Sequence, residues 1–290
     1  MAEPKYRGAQ IAPFAPIPNV KTLINTKAGL IRYQLVWAWD AIAAMTRDQY
    51  LWWVRDHVAF VREYAALRGN FRIVVAMQMP PGTFDAENHQ TVFTNPYDRE
   101  TFFLAWDYII ENLKDQAKVI GYLWINEPRT TGGLLKQLYA EVAARYKSIN
   151  KKHIYSLVNG APSTGGLILP KNINGWVCAH MYQPFSFTHQ GVYGGSIGKK
   201  YPDAKNNKAT TAKKLEPLKR VPKNYKVYIG EFAASTFADS KSRQAYYKDI
   251  MDIANSNGWY WTFHAWREAE VWDVEGDPKL LKLIKDKMKE

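Results

Sequence analysis

The sequence predicts a (β/α)8 barrel, in which eight parallel strands alternate with helices, formed by one domain over residues 1–290. Three observations lead to this prediction. The length of 290 residues suits a single α/β barrel, which has about 250 residues. Short apolar runs alternate with longer helix-like segments along the chain. Several runs, such as Ile73–Ala76, are continuously apolar, which is typical of strands buried on both faces of a parallel sheet.

The strands are predicted from short runs of apolar, β-branched or aromatic residues. In order, they are Arg7–Ile11, Leu30–Val36, Phe71–Met77, Val119–Ile125, His153–Val158, Gly175–Ala179, Lys226–Ile229 and Trp259–Phe263. A doubly wound open sheet is the competing architecture. The chain has neither a Gly-x-Gly-x-x-Gly turn after the first strand nor a Gly-Lys-Ser/Thr phosphate loop, so the barrel is favoured.

The predicted helices are longer and carry capping signals. The clearest, Arg47–Leu67, begins after Thr46, and Gln49 three residues on completes a capping-box pattern. Asp277 and Pro278 provide a cap and a first-turn proline for the last helix. The remaining helices are Arg99–Lys114, Leu134–Ile149, Ala209–Leu218, Lys241–Asn255 and Lys279–Lys289.

The composition excludes several classes of protein. Hydrophobic residues make up 47% and charged residues 23% of the chain, which argues against disorder. No stretch approaches the roughly 18 consecutive apolar residues of a membrane span, so we expect no membrane partner. The single cysteine, Cys178, excludes an intramolecular disulfide and a four-cysteine zinc site. The six histidines show no His-x-His or His-x-x-x-His spacing, so we expect no metal and no other cofactor.

The charge is uneven, with a net charge of +12 and ten Lys and Arg against two acidic residues between Ile197 and Lys226. We interpret this segment as a solvated face rather than a nucleic-acid site, because no Trp or Phe lies within it to stack bases. We therefore expect no nucleic-acid partner, and we expect a monomer. The first residues, Met1–Lys5, lack the apolar region of a signal peptide. The protein either acts in the cytoplasm or has lost a leader and acts in the periplasm or outside the cell.

Two carboxylates stand where a barrel places its catalytic residues, at the carboxyl ends of strands. Glu127 follows the fourth predicted strand in Asn126-Glu127-Pro128, and Glu231 follows the seventh in Gly230-Glu231-Phe232. Each alone is explained equally well as an ordinary loop carboxylate. Together they are what glycosidic bond cleavage requires, since one acid must be protonated and the other ionised.

These motifs resemble the acid/base and nucleophile motifs of glycoside hydrolase family 5, the cellulase family of the retaining β-glycanase clan. Arg32 resembles the second-strand arginine of the family, which neighbours the nucleophile, and His180-Met181-Tyr182 resembles its His-x-Tyr pair. The resemblance implies Glu231 as nucleophile, Glu127 as acid/base, Asn126 as a ligand of the sugar 2-hydroxyl and Tyr182 as the residue that orients Glu231. It spans residues 7–272.

The sequence departs from the family pattern in two places. After the third strand, where many members carry a His pair, Gln78 stands instead and is a candidate ligand of a sugar hydroxyl. On the eighth strand the family places a Trp that stacks under the sugar. Trp261 and Trp266 are the two candidates here, and His264 is the alternative. Trp37, after the second strand, is a candidate for lining a glycan groove, although packing at the barrel rim explains it equally well.

The functional hypothesis is a retaining β-glycoside hydrolase that cuts within a β-1,4-linked glucan. Its substrate partner is then a β-linked polysaccharide or oligosaccharide. A β-mannanase or another β-glycanase of the same family is the first alternative. A barrel that binds carbohydrate without cleaving it is the second, and it is motivated by the departures at Gln78 and His264.

Overall fold

The structure, a computed structural model, describes residues 5–161, 169–170 and 175–290. Eight parallel strands close into a barrel, each paired with the next along the chain and β8 paired with β1. This confirms the predicted (β/α)8 architecture. The strands are β1 (Arg7–Ile11), β2 (Leu30–Leu35), β3 (Arg72–Met77), β4 (Val119–Leu123), β5 (Lys152–Ser156), β6 (Gly175–His180), β7 (Tyr225–Glu231) and β8 (Tyr260–Trp266).

Helices lie between the strands in the described part of the chain. They are α1 (Ile17–Asn25), α2 (Trp39–Ala43), α3 (Arg47–Ala66), α4 (Pro96–Leu113), α5 (Gly132–Arg145), α6 (Phe185–Thr188), α7 (Lys208–Leu215), α8 (Ser240–Ser256) and α9 (Pro278–Lys289). The sequence did not predict α1, α2 or α6. Helix α1 follows a proline-rich stretch that is typical of a loop, but Pro18 occupies the first turn, where a missing N–H costs nothing.

The apolar residues form two separate clusters. The larger one lies between the outer faces of the strands and the helices. The smaller one fills the barrel interior, because alternate residues of a strand point inward. It consists of Leu30, Val74, Ala76, Leu123, Ile154, Trp176, Cys178, Tyr228 and Tyr260. The barrel is thus packed solid beneath its carboxyl end, and polar groups are left for the mouth above.

The basic segment Ile197–Lys226 contains α7 and the loops on either side of it. Its lysines are largely exposed and several pair with acidic side chains, such as Lys200 with Asp239 at 3.0 Å and Lys208 with Asp252 at 2.9 Å. The segment therefore presents a solvated, partly neutralised face. Within the described residues, no helix combines the length and apolar character needed to cross a membrane.

We expect Trp261→Ala to lower the free energy of unfolding by about 3–5 kcal/mol. The Trp261 side chain is fully buried, packs against Phe232 with ring centroids 5.9 Å apart, and donates from its indole N–H to Asn255 at 2.9 Å. Its removal leaves a cavity and an unpaired amide beneath α8. Denaturant unfolding followed by fluorescence and circular dichroism measures the change.

The matched control is Trp52→Ala, because Trp52 lies on α3 with 62% of its surface exposed. We expect that variant to stay within about 0.5 kcal/mol of the wild type. A loss of similar size in both variants would contradict the assignment of Trp261 to the core.

Candidate active site

A ring of polar side chains faces the inside of the barrel mouth. It arises from the alternation of the strands: Arg32 and Gln34 follow the inward Leu30 on β2, and His180 follows the inward Cys178 on β6. Buried polar groups need partners, and most members of the ring bind one another. The ring comprises Gln10, Arg32, Gln34, Gln78, Asn126, His180, Glu231 and His264.

Glu231, the last residue of β7, is a buried carboxylate with every oxygen bound. One oxygen accepts from Arg32 and, at 2.9 Å, from Gln34 Nε2, and the other accepts from the Tyr182 hydroxyl at 2.8 Å. Burial by itself would raise the pKa of Glu231. The positive charges of His180 and Arg32 outweigh burial and hold the pKa well below its ordinary value. Glu231 is therefore ionised at neutral pH.

Arg32 is fully buried and connects three strands. Its Nη1 donates to Glu231 and, at 2.5 Å, to Gln10 Oε1, while Nη2 donates to Asn126 Oδ1 at 2.6 Å. Burial would lower the pKa of Arg32, but the neighbouring Glu231 raises it above its ordinary value. The guanidinium consequently fixes the positions of Glu231 and Asn126 relative to each other.

Glu127 is the more open of the two carboxylates. It follows β4 with a left-handed φ of +42°, and its N–H donates to Ser156 Oγ at 3.3 Å. Gly160 approaches it so closely that a Cβ at that position would lie 2.9 Å from Glu127 Oε1. The side chain of Glu127 is 35% exposed, against 9% for Glu231. Glu127 therefore reaches the solvent-filled mouth while Glu231 lies below it.

His180 lies between the two carboxylates. Its Nδ1 is 2.6 Å from Glu127 Oε1 and 3.6 Å from Glu231 Oε2, and its Nε2 is 3.7 Å from Cys178 Sγ. Burial would lower the pKa of His180, but the charges of Glu231 and Glu127 raise it to about 10. The imidazole is thus a cation at neutral pH that bridges two acids.

The ligand atoms of Glu127, His180 and Glu231 all lie within 4.8 Å of one another, a spacing that a metal ion could use. The chemistry of the donor set does not favour a metal. Arg32 already places a fixed positive charge on Glu231, and a protonated His180 has no lone pair to offer. The arrangement fits two opposed carboxylates of different exposure with a proton-carrying imidazole between them.

A protein-family model matches most of the chain. The model described as cellulase, glycosyl hydrolase family 5, covers residues 30–270. The chain belongs to glycosyl hydrolase family 5. It is therefore a glycoside hydrolase, as its strand-end motifs predict. No curated protein matches it.

Solved structures of family-5 enzymes share its fold. Endoglucanase Cel5A from Thermotoga maritima is 20% identical with a TM-score of 0.75, and the match covers 96% of each chain. Cellulose synthase subunit Z from Clostridioides difficile is 17% identical with a TM-score of 0.74, covering 99% of this chain and 100% of that one. Cel5A has also been solved with cellobiose and with mannotriose. At such identities the likeness establishes the barrel fold.

The structure brings most of the sequence-predicted family-5 residues together. His180 hydrogen-bonds Glu127, and both Arg32 and Tyr182 hydrogen-bond Glu231. Asn126 is joined to Glu231 through Arg32. Gln78 joins the same group, because its Oε1 accepts from Gln34 Nε2 at 3.1 Å and from Asn126 Nδ2. Trp37 lies in the loop after β2 with half of its surface exposed.

The eighth-strand prediction is wrong for both tryptophans. Trp261 points away from the barrel interior and is enclosed under α8. Trp266 is 3% exposed and donates from its indole N–H to the carbonyl of Asn19 in α1 at 3.2 Å. Strand alternation explains the error: Tyr260 belongs to the interior cluster, so Trp261 faces the helices. Neither ring can lie under a sugar in the mouth.

The inward position at the end of β8 belongs to His264, the alternative candidate. Its ring centroid lies 6.4 Å from that of Tyr182 and 5.6 Å from that of Trp272. Trp272 was not predicted; it lies in the loop after β8, where the barrel rule places site residues, and it packs beside His189 at 5.1 Å. Searching that loop for aromatic residues would have found it.

We expect the His180 imidazole to remain protonated at about pH 8, well above the ordinary pKa of histidine. The reason is the pair of carboxylates that raises its pKa to about 10, whereas burial lowers the pKa of His57 to about 3 and that of His153 to about 4. Nitrogen-15 NMR of the imidazoles should show a doubly protonated ring that is missing from His180→Gln.

The raised pKa of His180 makes the free energy of unfolding depend on pH in a definite direction. Because the folded pKa of His180 is raised, its contribution is complete below the unfolded value near 6.5 and is lost as pH rises toward 10. The free energy of unfolding should fall over that window more steeply in the wild type than in His180→Gln. Equal slopes, together with a neutral His180 ring at the lower end of the window, would contradict the bridging role.

Proposed function

We propose that this family-5 enzyme is a retaining endo-β-1,4-glucanase, with Glu231 as nucleophile and Glu127 as acid/base. The observation that supports this most strongly is the spacing of the two carboxylates, whose oxygens approach within 4.8 Å. Retaining glycosidases hold their carboxyl groups about 5–5.5 Å apart, whereas inverting enzymes leave room for a water molecule between them. The difference in environment supports these roles: the buried, ionised acid attacks and the more exposed acid exchanges protons.

In the first step Glu231 attacks the anomeric carbon, and the bond from that carbon to the glycosidic oxygen breaks. Glu127 acts in this step in its protonated form and gives that proton to the departing oxygen, so the leaving chain departs as an alcohol. Arg32 and Tyr182 hold the attacking carboxylate in place. The product is a glycosyl ester of Glu231 with inverted configuration at the anomeric carbon.

In the second step Glu127, now ionised, takes a proton from a water molecule that attacks the same carbon. The ester bond breaks, Glu231 is released, and the configuration is restored. His180 responds to this cycle, because ester formation removes the Glu231 charge that contributes most to raising its pKa. The hydrogen bond from His180 to Glu127 therefore changes in strength between the two steps.

The remaining polar groups bind the sugar. In this proposal the amide nitrogens of Asn126 and Gln78 donate to substrate hydroxyls. One N–H of Asn126 Nδ2 already donates to Gln78 Oε1, and the other binds the 2-hydroxyl, as the family resemblance implies. Trp37 offers an exposed ring beyond β2 for stacking a further sugar unit. The crystal complexes of Thermotoga maritima Cel5A contain cellobiose and mannotriose, so a β-mannan is the specific rival to a β-glucan.

We expect Glu231→Ala and Glu127→Ala to lower kcat on an aryl β-cellobioside by at least about 10³-fold, since each removes a group that acts on the reacting bonds. Added azide should restore turnover and identify each role by its product. In Glu231→Ala it takes the place of the nucleophile and gives the α-glycosyl azide. In Glu127→Ala it attacks the glycosyl ester and gives the β-glycosyl azide.

The matched control is Glu87→Gln, an exposed carboxylate in the loop after β3 with 82% of its side chain accessible. It should retain wild-type activity. An α-glycosyl azide from Glu127→Ala would reverse the assignment. Absence of any hydrolysis by the wild type, with oligosaccharide binding intact, would instead favour a barrel that binds carbohydrate without cleaving it.

We expect cleavage within the chain of a soluble β-1,4-glucan, with kcat/KM at least about 10-fold higher than on a β-1,4-mannan, because an axial 2-hydroxyl is misplaced for Asn126. Viscosity should fall early, before many reducing ends have formed. Reducing ends released in proportion to the loss of viscosity would contradict endo action, and a preference for mannan would establish the rival substrate.

A further inference from the structure

The end of β8 presents an imidazole to the candidate active site where a stacking ring was expected. Tyr260 and Thr262 point into the barrel, and His264 follows them on the same face. Its ring centroid lies 6.4 Å from that of Tyr182 and 5.6 Å from that of Trp272, and those two centroids are 6.4 Å apart, so the three rings form a triangle. Because the Tyr182 hydroxyl donates to Glu231, His264 stands beside the position that a sugar must occupy when Glu231 attacks it.

The two nitrogens of His264 have different surroundings. Nδ1 is buried and has no hydrogen-bond partner among the described residues; its nearest acidic atom is Glu268 Oε2 at 4.0 Å. That oxygen accepts from Gln10 Nε2 at 2.7 Å, and Gln10 in turn accepts from Arg32. The side chain of His264 is 14% exposed. Because Nδ1 is covered, this exposed surface belongs to the rest of the ring, which includes Nε2.

The nearby carboxylate makes the two nitrogens of His264 different. The 4.0 Å from Nδ1 to Glu268 Oε2 is too long for a hydrogen bond, but the negative charge of Glu268 favours a proton on the nearer nitrogen and leaves Nε2 as the nitrogen that can accept from a ligand. Glu268 is itself fixed, because Gln10 and Arg32 connect it to the residues that hold Glu231. The buried Nδ1 of His264 is unpaired, a cost that a Phe or Leu at this position would avoid, so the imidazole calls for a role beyond filling space.

We propose that His264, whose Nδ1 lies 4.0 Å from Glu268 Oε2, is a specificity-determining residue that hydrogen-bonds a hydroxyl of the sugar bound against Glu231. This inference rests on the proposed function. It assigns to β8 a directional polar contact in place of stacking. Such a contact rejects a sugar that lacks the hydroxyl much more strongly than an apolar surface does, because the imidazole is then left unpaired.

The test uses dinitrophenyl β-cellobioside and three analogues in which the hydroxyl at C2, C3 or C6 of the sugar next to the leaving group is replaced by hydrogen. The C4 oxygen of that sugar carries the glycosidic link and is not varied. Asn126 is the proposed ligand of the C2 hydroxyl, so His264 is expected at C3 or C6. The measured quantity is the ratio of kcat/KM for the parent to that for each analogue.

In the wild type we expect one of the C3 and C6 ratios to be at least about 10-fold, as for a lost substrate hydrogen bond. In His264→Phe that ratio should fall to within about 3-fold of unity, while kcat/KM on the parent falls by about 10- to 100-fold. The C2 ratio should not change, because Asn126 is intact; it is the internal control for a distorted site. His264→Gln, whose amide can still bond a hydroxyl, should keep part of the discrimination.

Three results would overturn the inference. One is His264→Phe with wild-type kcat/KM and wild-type ratios. Another is a fall in kcat/KM with all three ratios preserved, which would make His264 a structural residue. The third result concerns Glu268→Gln, which serves as the test if His264→Phe does not fold. We expect this variant to discriminate several-fold less at C3 or C6, and C3 and C6 ratios equal to those of the wild type would contradict the inference. If the wild type cleaves none of the glycosides, the proposed function fails first, and that outcome is distinct from all three.

Discussion

The buried ion pair between Arg32 and Glu231 is the interaction on which the barrel mouth depends. A carboxylate ion placed in a protein interior is strongly destabilised unless cations and hydrogen-bond donors surround it. Arg32 provides the charge, but a buried guanidinium has several N–H groups to satisfy and so requires further acceptors, which Gln10 and Asn126 supply. His180 adds the second charge next to Glu231. Most of the polar ring thus follows from the need to keep one acid ionised below the surface.

The sequence predicted the fold and the convergence of the polar candidate residues at the barrel mouth, and the reason is geometric. Once apolar runs mark eight strands, the barrel rule places the residue after each run at one end, so Asn126, Glu127, His180 and Glu231 converge without any knowledge of their partners. The order of the strands is also fixed by the fold. Predicting which polar residues surround the barrel mouth therefore required only the position of each strand end.

The aromatic half of the site could not be predicted in the same way. Assigning Trp261 or Trp266 required knowing which face of β8 is inward, and the aromatic rings of that strand fall on both faces, since Tyr260 is inward and Trp261 outward, so the rings themselves do not mark the inward face. The abundance of rings was also a poor guide. Trp124 stacks on Tyr146 and meets Trp106 edge-on in the layer between strands and helices, outside the barrel interior. Trp272 reached the mouth from a loop, whose path depends on tertiary contacts rather than on a repeat.

The solid packing of the barrel interior has a consequence for the order of events in the proposed reaction. Trp176, Tyr228 and Tyr260 pack together inside the barrel beneath the polar ring, with Trp176 and Tyr260 centroids 4.7 Å apart. Reactants therefore share the opening at the carboxyl end, and the water that resolves the glycosyl ester comes in by the route that the leaving chain has vacated. A second saccharide arriving by that route competes with water for the same ester. Under the proposed mechanism the enzyme then transfers sugar to sugar, and at high acceptor concentration its products lengthen instead of shortening.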